Sequence, residues 1–345
     1  MLDTIKFYIP MRKAVVRKIF ASGNEKPKIS RRLMAGKSGK RFEVRSADKG
    51  RAIMIEMSLL KLLQGHNVCG TNRLSLMCRE VVRVVYRGLG LRLTSTERKR
   101  IGMHDFELGR VDATGSYNLR SQENVKAAME EIRVQLKALG LDIVVHEGPG
   151  GIETIYVGKN SRRATFKFYN KYLELVDTSA LSPKLRGHDE ILQYVKGHLR
   201  IELTLRSTEL NEIEMGGGAL NVSSSWSEKI VRALLLKRMA QFKFSGLIKT
   251  RLDANEIDGL KPNHKMLYDL HRGGADLQRH MPRHTYRRWD KKMYELYGIR
   301  IGRPVKMGAA KVSLSKLLAP DQLHTTWPKK LRETGAIYIP RHVKG

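Results

Sequence analysis

Apolar and polar residues alternate along several stretches of the chain, and each such stretch predicts a strand. Leu2, Ile5, Phe7 and Ile9 mark the first, which Pro10 stops. Residues 51–57 continue in the same manner before a turn at Gln64–Asn67. In 109–117, Val111 and Ala113 share one face and leave Arg110, Asp112 and Thr114 on the other. Residues 141–148 and 151–158 flank the sequence Gly148, Pro149, Gly150, Gly151 and read as a hairpin. In 164–171, Phe166 and Phe168 oppose Lys167, Tyr169 and Lys171. In 198–206, Leu199, Ile201, Leu203 and Leu205 oppose Arg200, Glu202, Thr204 and Arg206.

Helical spacing interrupts these strands. Residues 72–89 repeat apolar side chains at Leu74, Met77, Val81 and Val84 and end at Gly88. Residues 121–140 show the clearest helix, with Ser121 as N-cap, Gly140 past the end, and Val125, Met129, Ile132 and Leu136 as its buried stripe. Residues 23–40 are rich in Gly, Lys and Ser and read as a loop or hairpin. From about Ser223 the pattern is helical only, opening on a capping box of Ser225 and Glu228. The strand and helix order predicts an α+β fold: an antiparallel or mixed sheet with helices on one face, of the ferredoxin or RNA-recognition type, followed by a smaller all-α domain. The expected domains are 1–222 and 223–345.

Charge narrows the functional class. The 345 residues hold 65 Lys and Arg against 34 Asp and Glu, a net charge of +31. An imbalance of this size is the footprint of a polyanion, and nucleic acid is the first reading. An anionic membrane would call for a basic amphipathic helix with a strong apolar face, and no run of about 18 apolar residues occurs. Cys69 and Cys78 have no CxxC partner, so neither a disulfide framework nor a zinc finger is indicated. A reducing cytoplasm is the expected setting, without a small-molecule cofactor.

Three strands thus place one chemically capable group each on the same face: Asp112, Tyr169 and Glu202. A tyrosine, with a pKa of about 10, is a weak nucleophile near neutral pH unless a cation favours its phenolate. Lys171, two residues on, is the expected source of that charge, with Lys167 on the other side. Two carboxylates hold Mg²⁺ or Mn²⁺ through oxygen ligands and so polarise a phosphate. Attack by Tyr169 on a DNA strand would leave a 5′-phosphotyrosine and a free 3′-hydroxyl. The competing reading makes Asp112 and Glu202 plain ion-pair partners of Arg110 and Arg200. Tyr172 is the competing nucleophile, although strand parity turns it toward the core.

The segments 62–71, 109–114, 168–175 and 199–203, in this order, resemble the replication initiator proteins of filamentous phages, the gene II type, over nearly the whole chain. The set is also similar to the Rep nucleases of rolling-circle plasmids. The resemblance implies an endonuclease that nicks one strand of a double-stranded replicative form at its origin, stays on the 5′ end through a tyrosine, and rejoins the displaced single strand. It places the nucleophile at Tyr169, with Lys171 in the Tyr-x-Lys motif, and the acidic groups at Asp112 and Glu202. It also implies a host helicase and polymerase as partners. The His-hydrophobic-His triplet of many rolling-circle nucleases does not occur; His66 stands as either a third metal ligand or the cap of its turn. Asp3 and Glu56 faintly echo Asp112 and Glu202.

Residues 279–306 carry nine Lys and Arg against Asp290 and Glu295. A helix, a turn at Met281–Pro282 and a second helix from Arg283 outline a helix-turn-helix, with Arg283, Tyr286, Arg287 and Arg288 directed at DNA and Trp289 packing inward. Two other readings compete: a non-catalytic, sequence-specific DNA-binding protein such as an origin or copy-control repressor, and a conjugative relaxase, for which the missing histidine triplet counts against.

Overall fold

The alternating stretches form strands β1 (Leu2–Pro10), β2 (Lys28–Ile29), β3 (Glu43–Ala47), β4 (Ala52–Ser58), β5 (Leu108–Asn118), β6 (Ile143–Gly148), β7 (Gly151–Val157), β8 (Ala164–Asn170) and β9 (His198–Arg206). They hydrogen-bond in one antiparallel sheet of order β2-β3-β4-β1-β5-β9-β8-β7-β6. A two-stranded ribbon, β10 (Glu214–Met215) and β11 (Gly218–Ala219), stands apart. The short β12 (Leu323–His324) pairs with Tyr117 and Ser116, extending the edge of β5 beyond the reach of β1. This computed structural model describes residues 1–13, 15, 16, 28, 29, 43–103, 105–177, 181, 182, 185–216, 218–242, 244, 252, 254–273, 275–297, 299, 301, 313–326 and 328–339. The loop or hairpin expected over 23–40 falls outside the described residues except for 28 and 29.

Local chemistry sets the helices. Helix α1 (Leu59–Gln64) follows β4 directly, because the Ser58 hydroxyl accepts the Lys61 N–H and Gly65, at φ +92°, ends it in the left-handed region. The alternating pattern hid this helix. Helix α2 (Leu74–Gly88) matches its apolar spacing. Helix α3 (Gln122–Ala138) is capped by Ser121, whose side chain accepts from Asn124. Helix α4 (Lys171–Asp177) starts directly after the last residue of β8, where Asn170 Oδ1 accepts the Leu173 N–H and stops the strand. Helix α5 (His188–Val195) precedes β9. Helix α6 (Glu228–Ala240) is capped by Ser227 rather than by the expected Ser225.

The apolar strand faces and the stripes of α2, α3 and α6 share one core. Phe166 and Phe168 meet Phe242 at 5.1 and 5.5 Å between ring centroids. The boundary expected at residue 222 does not divide the molecule. Trp226, Val231, Leu234, Leu235 and Phe242 belong to the sheet's core, and Leu314, Leu318, Leu323, Leu331 and Ile337 return to it. A second, smaller core contains Leu252, Leu260, Leu267, Tyr268, Leu277, Met293, Ile299 and Ile301. The basic helical module is therefore an insertion between two parts of the first core. Local helix patterns cannot reveal this, because they do not say which sheet an apolar stripe covers.

The returning segment does more than fill volume. Thr325 O accepts from the Met1 amino group at 2.8 Å and from Asn72 at 3.2 Å, and Arg232 donates to Leu323 O. Gly115 leaves room for it, since a Cβ there would stand 2.7 Å from Leu323 Cδ1. A chain truncated after Phe244 is expected to unfold at a clearly lower temperature than the full chain, as read by circular dichroism. An unchanged midpoint would mean that residues 313–338 are an appendage.

Candidate active site

Register decides what the polar face of the sheet presents. Tyr169 on β8 pairs with Arg200 on β9, and Lys167 pairs with Glu202. On the other flank of β9, Glu202 pairs with Thr114, and Thr204 pairs with Asp112. One face therefore gathers Asp112, Thr114, Tyr169, Lys167, Arg200 and Glu202. Leu2 pairs with Ala113 while Ile5 pairs with Val111, so β1 spends one extra residue there. That bulge breaks the alternation of β1 and delivers Asp3 to the same face.

The face is not open where these groups lie. Asp112, Tyr169, Arg200 and Glu202 are only 2–6% exposed. Residues 64–72 lie across one end: Val68 O accepts from Arg200 at 2.6 Å, and Asn67 Nδ2 donates to Asp3 at 2.6 Å. The C-terminal segment holds this cover from outside, with the Tyr338 N–H on Gln64 Oε1 at 2.8 Å and Ala336 O within 3.0 Å of His66 Nε2. Toward the other end Arg110, Lys167 and Tyr156 are only half-buried. The candidate site thus sits at the margin between the covered and the accessible parts of the face.

The Tyr169 hydroxyl donates to Glu202 Oε2 at 3.3 Å, and Lys167 forms an ion pair with Glu202 Oε1. Burial pushes the Tyr169 phenol well above its ordinary value, with the charge of Arg200 opposing and that of Glu202 adding to it. Asp112 binds Arg110 through both oxygens, at 2.9 and 2.8 Å, and Arg110 also reaches Glu56 at 3.0 Å. Burial and the nearby charge of Glu202 raise the Asp112 carboxyl to about 6, against the pull of Arg110 and Lys167. Among the described residues, no group of three or more His, Cys, Asp and Glu side chains is arranged to hold a metal ion.

Lys171 does not play the part its spacing suggested. Its ammonium donates to both oxygens of Glu174 and to Asn67 Oδ1, each at 2.9 Å, and lies 5.8 Å from the centroid of the Tyr169 ring. Burial lowers Lys171 to about 8; Glu174 would be raised by burial, but the Lys171 charge holds it below its usual range. The lysine thus ties α4 to the cover through the chain Glu174–Lys171–Asn67–Asp3, which Ser58 extends with a bond to Asp3. The cation that acts most strongly on the Tyr169 hydroxyl is Arg200, which sequence reasoning had treated only as a partner for Glu202. Its guanidinium carbon lies 5.9 Å from the Tyr169 ring centroid. The overlooked signal was parity: Arg200 shares the face of Glu202 two residues away.

His66 resolves toward its second reading. Nδ1 accepts the Val68 N–H at 3.3 Å, so the ring caps its own turn, and Nε2 faces Ala336 O. Burial lowers it to about 4, which keeps the ring neutral. Tyr172 is half-buried against the main core, but it lies on α4 rather than on a strand, so strand parity does not set its direction. In the inserted module, α7 (Leu277–His280) and α8 (Arg283–Tyr297) flank the turn at Met281–Pro282. Arg283, Arg287 and Arg288 are exposed. Tyr286 is half-buried and packs on the small core with Trp289, because Tyr286, Trp289 and Met293 fall on one stripe of the helix.

A family model described as the N-terminal part of the phage replication-associated protein, the gene II protein, matches residues 12–229. The replication-associated gene II protein of Enterobacteria phage I2-2 is 28% identical over 249 residues, covering 70% of this chain and 67% of that protein. Among solved structures, a rolling circle replication initiator protein from Geobacillus stearothermophilus aligns over 60% of this chain and 73% of its own, at 14% identity and a TM-score of 0.28. The residues matched by the family model contain all three strands that carry Asp112, Tyr169 and Glu202, and the chain belongs to this family of phage replication-associated proteins.

Proposed function

We propose that this protein initiates rolling-circle DNA replication by nicking one strand of a double-stranded replicative form and later rejoining the displaced strand. The observation that carries the reading is the hydrogen bond from Tyr169 to Glu202 on a face where two acidic and several basic groups converge. Tyr169 Oη attacks the scissile phosphorus, forming an O–P bond as the bond from phosphorus to the 3′-oxygen breaks. Its proton passes to Glu202 Oε2, which already accepts that hydrogen bond, and the departing 3′-oxygen takes one from water. Phosphoester bonding is conserved, so a free 3′-hydroxyl can reverse the step and close a circle. For DNA to reach Tyr169, the cover formed by residues 64–72 must withdraw.

In this reading Asp112 and Glu202 are the groups that would hold a divalent cation. They are oxygen donors on neighbouring strands, and their mutual repulsion is met here by Arg110 and Lys167. Mg²⁺ or Mn²⁺ bound there would polarise the phosphate. The exposed Arg283, Arg287 and Arg288 supply phosphate contacts to duplex DNA, and Lys171 holds the cover and α4 together.

Tyr169→Phe is expected to abolish nicking of supercoiled cognate DNA while leaving origin binding within about twofold, since only a hydroxyl is lost. Retained nicking in that variant would pass the role of nucleophile to Tyr172. Millimolar Mg²⁺ or Mn²⁺ should raise the thermal midpoint of the wild-type protein by a few degrees, because a ligand that binds only the native state stabilises it. Asp112→Asn and Glu202→Gln should each remove that shift; a shift of full size in both variants would put the ion elsewhere. Changing Arg283, Arg287 and Arg288 together to Gln should flatten the salt dependence of duplex binding by about 2–3 units in log–log slope, roughly one per phosphate contact. A slope equal to wild type would make that surface a solvated face and assign docking to the sheet domain.

A further inference from the structure

Among the described residues, two cationic side chains are buried, Lys171 and Arg200. They are treated very differently. Lys171 has a carboxylate and an amide oxygen on its ammonium. Arg200 has neutral partners only: Nη1 donates to Val68 O at 2.6 Å, while Nη2 donates to Thr114 Oγ1 at 3.1 Å and lies 3.6 Å from Met1 Sδ. Its Nε–H is buried with no acceptor. A guanidinium removed from water without a bonded anion is costly, and an orphan donor beside it adds to the cost. Arginine elsewhere on the same face is handled as expected, with Arg110 shared between Asp112 and Glu56.

The placement supplies the missing anion. Arg200 is the cross-strand partner of Tyr169, on the same face, with its guanidinium 5.9 Å from the ring centroid. We propose that Arg200 is the phosphate-binding catalytic residue of this site: it takes a non-bridging oxygen of the scissile phosphodiester and keeps that oxygen through the 5′-phosphotyrosine stage. This inference rests on the reading of Tyr169 as the nucleophile. The planar fork of arginine matches phosphate, to which it can give two parallel hydrogen bonds. In the present structure the Val68 carbonyl is the placeholder on Nη1. Val68 belongs to the cover that DNA must displace, so opening the site and freeing the guanidinium are the same movement. Substrate entry then exchanges a neutral partner for a charged one.

The test compares two single-stranded oligonucleotides spanning the mapped nick site. One carries the natural phosphodiester, the other a single uncharged methylphosphonate at the scissile position. Arg200→Gln in the full-length protein should cleave the phosphodiester about 100-fold more slowly than wild type, the usual loss for one oxyanion donor. On the methylphosphonate, wild type and variant should cleave at rates within about threefold, because the charge that Arg200 meets is gone. The same deficit on both substrates would show Arg200 to be a structural brace and overturn the proposal. Arg200→Lys, which keeps the charge without the fork, provides the same comparison if the Gln variant does not fold, with a smaller deficit on the phosphodiester expected. Wild-type protein that leaves no 5′-linked product on the phosphodiester would instead refute the nucleophile reading, and the role of Arg200 with it.

Discussion

The antiparallel pairing of β8, β9 and β5 in a single register is the constraint from which the rest of the site follows. Side chains alternate across a strand with period two, so pairing Tyr169 with Arg200 also sets Lys167 opposite Glu202 and Thr114 opposite Glu202 on its other side. A slip of one residue would turn Phe166, Phe168, Leu203 and Leu205 out of the core and send Tyr169 and Glu202 into it. The apolar face therefore protects the polar one. The packing that excludes water from Leu203 and Phe168 also holds Tyr169 to its acidic partner Glu202.

Electrostatics on that face follow from its burial. Four cationic side chains and a comparable set of carboxylates occupy a few neighbouring positions, and nearly every charge is met by another. Arg110 binds Asp112 and Glu56, Lys167 binds Glu202, and Lys171 binds Glu174. Each of these pairs joins a well-buried group to a partner that still touches solvent, except for Arg110 and Glu56, which are both half-buried. Arg200 departs from this pattern by having only neutral hydrogen-bond partners, and it lies beside the tyrosine.

The cover joins distant parts of the chain to that chemistry. Residues 64–72 are held below by Arg200 and Asp3 and above by residues 336–338. Lys171 adds a link to α4, which begins where β8 ends. The helical module lies between α6 and the returning C-terminal segment in sequence, so the two ends of that insertion are fixed on the core that carries the site.

What the sequence determined by itself was the alternation of faces. Val111 and Ala113, Phe166 and Phe168, and the four leucine and isoleucine positions of 199–205 are enough to place Asp112, Tyr169 and Glu202 on one side, because strand parity is a local property. The helix over 122–138 was equally legible, since its cap and apolar stripe lie within its own residues. Partners were not legible. Lys171 looked like the activator of Tyr169 because it is two residues away, yet a helix begins at that residue and carries its ammonium to Glu174 and Asn67. Tyr286 looked exposed until a second core gave its stripe something to cover. The domain boundary was misplaced because residues 314–338 return across the insertion to pair with β5 and hold the cover, and contacts over 200 residues apart leave no periodic trace. Tertiary structure alone decided that this face is half closed and that Arg200 stands beside the tyrosine without a bonded carboxylate, because burial and ion pairing depend on which segments meet in space.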